Sequence, residues 1–184
     1  MCGAGGSCVT PTSVLRLSEV FYDPSGEDEM LEWVEIVNTG TSAVSLSGFS
    51  IGSGGTSYAS STFALSGTIP AGGCIVVGGP TSNALNYSPS FAIAADFAPD
   101  LQNSGTTADG VALFNVPASA ITTTTVPVDV VIYGGTNTSG LIDETGAIGA
   151  VDLPDTDSGR SLERTPTGWR SQTVPSPNDC SHAR

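Results

Sequence analysis

Short runs of alternating apolar and polar residues recur along the chain, separated by clusters of Gly, Pro, Asp and Ser. The first run extends from Val14 to Tyr22 and stops at the turn sequence Asp23-Pro24-Ser25-Gly26. The second, Glu32 to Asn38, places Val34 and Ile36 on one face of an extended segment and Trp33, Glu35 and Val37 on the other. Thr39-Gly40-Thr41 reads as a turn into Val44–Leu46 and Phe49–Ile51. A Gly- and Ser-rich loop over residues 52–61 leads to Phe63-Ala64-Leu65, and the turn Pro70-Ala71-Gly72-Gly73 feeds Cys74–Val77. Residues 78–109, punctuated by aromatics and prolines, read as a long, partly ordered connection. Strands resume at Val111–Phe114 and Val128–Tyr133, a polar loop spans residues 134–158, and Ser161–Thr165 reads as the last short strand. Helical spacing of apolar residues is scarce, so no helix is expected. Many short strands joined by turns predict an all-β fold, an antiparallel two-sheet β-sandwich. Its core is expected to contain Val34, Ile36, Phe49, Val76, Leu113, Val131 and Leu162.

The length of 184 residues suits one domain. Residues 1–13 read as a flexible N-terminal linker, 14–178 as the sandwich and 179–184 as a C-terminal tail. Charge narrows the partners. Five Lys+Arg, none of them lysine, against 18 Asp+Glu give a net charge of -13, which repels nucleic acid and anionic membrane surfaces. No apolar run approaches the ~20 residues of a spanning helix, so membrane insertion is not expected.

Six segments in order carry a family resemblance. They are Leu17–Val20 with Glu32–Asn38; Val44-Ser45-Leu46-Ser47-Gly48-Phe49; Thr68–Val77; Leu101–Gly105 with Asp109–Phe114; Val130–Gly134; and Ser161–Arg164 with Trp169 and the Pro-rich tail. Over residues 14–178 the chain resembles a bacterial lamin-tail domain, an immunoglobulin-like sandwich. That resemblance implies an accessory module of secreted proteins. The function expected is non-enzymatic binding or display at an extracellular or outer-cell-surface location, with a protein or glycan as partner. Two rivals are a metal-dependent hydrolase using the acidic loops and a structural spacer of the cell envelope.

The candidate chemistry is sparse. The single histidine, His182, lies in the tail, which leaves a nucleophile without a credible base. Glu32 with Glu35, and Glu27, Asp28 and Glu29, are expected to form a solvated acidic rim rather than a catalytic pair. Asp152, Asp155 and Asp157 cluster hard oxygen ligands in a turn-rich loop, the candidate Ca²⁺ site; Asp23, Asp28 and Glu29 form a second. No other cofactor is expected. Trp33 and Trp169 read as core anchors, and Arg160, Arg164 and Arg170 as partners of neighbouring carboxylates.

The four cysteines, Cys2, Cys8, Cys74 and Cys180, are too widely spaced for a zinc site and fit disulfides of an oxidising compartment. Cys180 follows Pro175-Ser176-Pro177-Asn178, a segment with little apolar to hold it, so a tie from Cys74 to Cys180 is favoured, with Cys8–Cys180 as the alternative. The start Met1-Cys2-Gly3-Ala4-Gly5-Gly6 resembles that of a processed bacterial lipoprotein, which would make Cys2 a lipid anchor; Cys2–Cys8 pairing is the other reading.

Overall fold

A computed structural model describes residues 14–181. Strands β1 (Leu15–Phe21), β2 (Trp33–Asn38), β7 (Cys74–Gly78), β8 (Phe91–Ala94), β11 (Ser161–Thr165) and β12 (Gly168–Gln172) form a six-stranded sheet in the order β12-β11-β1-β2-β7-β8. A four-stranded sheet, β10-β9-β4-β5, is built from β4 (Ser50–Ser53), β5 (Ser61–Ala64), β9 (Ala108–Phe114) and β10 (Asp129–Gly134). A small ribbon pairs β3 (Val44–Ser45) with β6 (Thr68–Ile69). The only helical turns among the described residues are 3₁₀, Ala84–Asn86 and Ala118–Ala120. This is an immunoglobulin-like β-sandwich, antiparallel except where β8 runs parallel to β7.

The two sheets close on one core. Leu15, Leu17, Val34, Ile36, Val77 and Leu162 from one meet Ile51, Phe63, Val111, Leu113, Val131 and Tyr133 from the other. In β1 the apolar rhythm breaks between Leu17 and Val20, and a β-bulge falls between Leu17 and Glu19 in the pairing with β2. The extra residue resets the alternation. It keeps Leu15, Leu17, Val20 and Tyr22 inward while Phe21 faces outward. Phe49 is half-buried against this core, less enclosed than expected, because it follows the exposed turn residues Ser47 and Gly48 rather than lying within a strand.

Both sheets are also covered on their outer faces, so β2 and β9 are buried along their whole length. Phe21, Trp33 and Val76 pack under Tyr87 and Phe91, and the Trp33 indole N–H donates to Asn86 O at 3.1 Å. Residues 78–109 are therefore not a loose connection. They hold a capped 3₁₀ turn, with Asn83 and Asn86 each accepting from the other's backbone, and β8. The turn was not expected because its polar Asn83 and Asn86 side chains bind backbone, and β8 was not expected because it is a short edge strand held by its pairing with β7. On the far face Tyr58, Ala112, Phe114, Ile121, Ile132 and Leu141 form a second apolar layer. The strand at Ser161–Thr165 is not the last: β12 pairs with it, Arg164 opposite Trp169, and the guanidinium lies 4.5 Å from the ring centroid.

Candidate functional site

Three loops meet at one end of the sandwich: residues 22–32, 95–107 and 135–160. Gly159 N–H donates to Asp23 O at 2.7 Å and Ser158 Oγ to Pro24 O at 2.8 Å. The Tyr22 hydroxyl donates to Asp155 Oδ1, and Thr156 N–H to the Tyr22 oxygen at 2.9 Å. Between loops 22–32 and 95–107, Leu101 N–H donates to Glu32 Oε2 at 2.8 Å and Met30 N–H to Asp96 Oδ1 at 2.9 Å. Ser104 gives both its N–H and its hydroxyl to Asp109 Oδ2, each at 2.8 Å. A Cβ on Gly55 would stand 2.4 Å from Asp109 Oδ1, so glycine is required where that backbone crosses the buried carboxylate.

The assembly is strongly acidic. Burial, followed by the charges of Asp100, Asp28 and Asp96, pushes Glu32 up to about 10. Burial and then Asp23, Asp100 and Glu27 raise Asp28; burial, Asp96 and Glu29 raise Asp100; burial and Asp155 raise Asp23. Two buried carboxylate oxygens, Glu32 Oε1 and Asp109 Oδ1, have no hydrogen-bond partner among the described residues. Beside this end, an open cavity of about 290 Å³ lies between Leu153–Asp157 and Arg160, Arg170 and Ser171.

The sequence-derived candidates separate in space. Asp152 Oδ2 accepts from Ile132 N at 2.9 Å, and Glu144 Oε1 from Val130 N at 3.2 Å, so both carboxylates cap the free edge of β10. Asp155 turns to Tyr22, while Asp157 pairs with Arg160 at 3.3 Å. Among the described residues no three Asp, Glu, His or Cys side chains stand as a ready metal cage. Arg170 pairs with Glu163 at 2.7 Å, and Arg164 with Asp129 at 2.6 Å, where Arg16 joins it at 3.1 Å. That buried Asp129 links the two sheets. Trp33 is fully buried and Trp169 half-buried.

The expectation of a solvated rim fails for Glu32 and Glu35, which are 1% and 0% exposed, although Glu27 and Glu29 are exposed. Glu35 belongs to a row missed in the sequence. It stands opposite Glu19, and Glu19 opposite Glu163, across β2, β1 and β11. Like charges side by side repel, so each needs donors. Ser18 Oγ donates to Glu35 Oε1 at 2.7 Å, Ser161 Oγ to Glu19 Oε1, and Arg170 to Glu163. The Pro-rich tail supplies the rest: Ser176 N–H donates to Glu19 at 3.1 Å and Asn178 N–H to Glu35 at 2.7 Å. Cys180 is bonded to Cys74, with Cα atoms 5.1 Å apart, the pairing favoured over Cys8–Cys180. The strap thus rests on buried carboxylates and is locked to the start of β7. Cys2, Cys8 and His182 lie outside the described residues.

A disulfide-locked, two-sheet sandwich presenting loops at one end defines a module of the immunoglobulin-like class. The family model described as Lamin Tail Domain matches residues 9–149, and the chain belongs to that family. The match ends before β11, yet β11 pairs with β1 and the tail crosses the same sheet, so these later elements complete the same folded unit. A crystal structure of a DUF4876 family protein from Bacteroides thetaiotaomicron VPI-5482 is similar, with a TM-score of 0.50 and 13% identity over 85% of this chain. This chain covers 64% of that one, and the likeness is one of fold. No curated protein matches the chain. The disulfide fits an environment outside the reducing cytoplasm. No helix of the described residues is long and apolar enough to cross a membrane.

Proposed function

We propose that this is a non-catalytic binding or display module of a secreted or cell-surface protein, and that its partner docks at the acidic loop end. The observation that carries this reading is the gathering of Asp23, Asp28, Asp96, Asp100 and Asp155 from three interlocked loops. The sheets behind them are covered by the chain's own loops and tail, which makes the loop end a firm platform. A protein or glycan carrying cationic groups matches its charge, whereas a polyanion is repelled. The disulfide supports the extracytoplasmic setting.

A glycan array and whole-cell binding, run with the wild-type domain and with the Asp28→Asn, Asp96→Asn, Asp100→Asn triple variant, test the reading. Salt-sensitive binding that the variant loses is the expected result. Binding that survives both high salt and the substitutions places the contact surface elsewhere and refutes it.

A further inference from the structure

The cavity beside the loop end is built differently from the acidic surface next to it. It encloses about 290 Å³, near the lower limit for small-molecule pockets, which suits a ligand the size of a sugar ring. Leu153 and Pro154 give it an apolar wall, and Ser171 adds a hydroxyl. Two acids, Asp155 and Asp157, meet two bases, Arg160 and Arg170, so the lining has no formal net charge on a chain of net charge -13. The walls are held from behind. Gly134 N–H donates to Leu153 O at 3.1 Å, the Tyr22 hydroxyl donates to Asp155 Oδ1, and Ser171 is paired with Leu162 across β11 and β12. The polar groups are oriented without being used up. A guanidinium has five N–H donors. Arg160 directs Nε to Asp157 at 3.3 Å and Nη1 to Thr173 Oγ1 at 3.2 Å, and Arg170 directs Nε and Nη2 to one oxygen of Glu163. The remaining donors stand beside carboxylate acceptors on the same cavity.

We propose that this cavity binds one sugar unit of an uncharged glycan. Ring hydroxyls both donate and accept, so they match guanidinium donors and carboxylate acceptors held side by side, while the C–H face of the ring packs on Leu153 and Pro154. An anionic ligand must compete with Asp157 and Glu163 for the arginines, and a cationic one with Arg160 for Asp157. A polyol bridges these ion pairs without breaking them. The site goes beyond the acidic docking surface and does not rest on it, since Asp28, Asp96 and Asp100 are not part of its lining.

The test is a titration of the isotope-labelled full chain with glucose, galactose, mannose, N-acetylglucosamine, maltose and cellobiose, read from backbone amide shifts, with sodium acetate and ethylammonium chloride as ionic probes. The expected result is saturable shifts at residues 153–157, 160, 170 and 171 with at least one of these sugars, with a Kd on the order of millimolar for so small and open a site. Binding should change little between about 0.1 and 1 M NaCl, because no charge is neutralised. Arg160→Gln and Asp157→Asn, which leave no buried charge behind, should each raise Kd about ten-fold, the loss of a hydrogen bond to a charged group. Ser171→Leu, at an exposed strand position, should abolish binding by filling the cavity. The Asp28→Asn, Asp96→Asn, Asp100→Asn triple variant should bind sugar like wild type, so failure of this site and failure of the acidic docking surface are read separately. No shift of those amides with any of the six sugars overturns the proposal. So do shifts there with acetate or ethylammonium alone, and sugar binding that survives Ser171→Leu.

Discussion

Replacing Cys180 with Ser asks how much of the fold depends on the tail being tied down. The bond joins residues 106 positions apart, and loop entropy for a closure of that length is worth about 5 kcal/mol. The tail also has contacts of its own. Pro175 is buried, Ser176 and Asn178 donate to Glu19 and Glu35, and Asn178 exchanges two hydrogen bonds with Ser90 at 2.8 and 3.0 Å. Each is worth about 1 kcal/mol net and is partly replaced by water when the strap frays. The cross-link term therefore dominates, and the expected loss is about 3–5 kcal/mol. For a domain of this size, that lowers Tm by roughly 10 °C. Urea titration of the oxidised protein, the reduced protein and Cys180→Ser gives the magnitude. Amide exchange at Ser176 and Asn178 shows whether the strap has lifted. An unchanged urea midpoint, or full protection of those two amides in the variant, would refute the reasoning.

Burial, with Glu19 beside it, pushes Glu35 up to about 8, so the folded protein holds a proton that the unfolded chain releases near its ordinary value. Stability should then fall as pH rises from about 4.5 to 8, and Glu35→Gln should flatten that slope; identical urea midpoint profiles for the two proteins would contradict the assignment. Asp129→Ala leaves Arg16, Arg164 and the Leu17 N–H without their shared acceptor and is expected to cost about 3–5 kcal/mol in urea unfolding, against a negligible loss if the inter-sheet clamp is ornamental. Every described arginine is ion-paired, so a gel shift at about 0.15 M salt should detect no duplex DNA binding.

Local chemistry was enough to write much of the sandwich into the sequence. The alternation in Trp33–Asn38 and the apolar runs at Cys74–Val77, Val111–Phe114 and Val128–Tyr133 mark strands because side-chain direction in a strand has a period of two. A cysteine in a polar tail announced its own tether. Period two assigns residues to a face but does not say what covers that face. Glu35 lies on the outward side of β2, as its position implied, yet it is buried, because a segment more than 140 residues later in the chain lies on it. Its neighbour Glu19 is satisfied by Ser161 and Ser176, 142 and 157 positions away. The loop end follows the same logic: Asp23 and Asp155 stand out in the sequence as members of two separate acidic loops and Asp96 does not stand out at all, and only the packing of the two sheets brings their loops together. β8 and β12 were hidden for a related reason. They are edge strands held by tertiary pairing rather than by a strong apolar pattern, and Trp169 looked like an isolated anchor until Arg164 was placed over its ring. Folding thus decided which carboxylates lose water, and with that their affinity for protons, because desolvation depends on everything packed nearby and not on the local sequence.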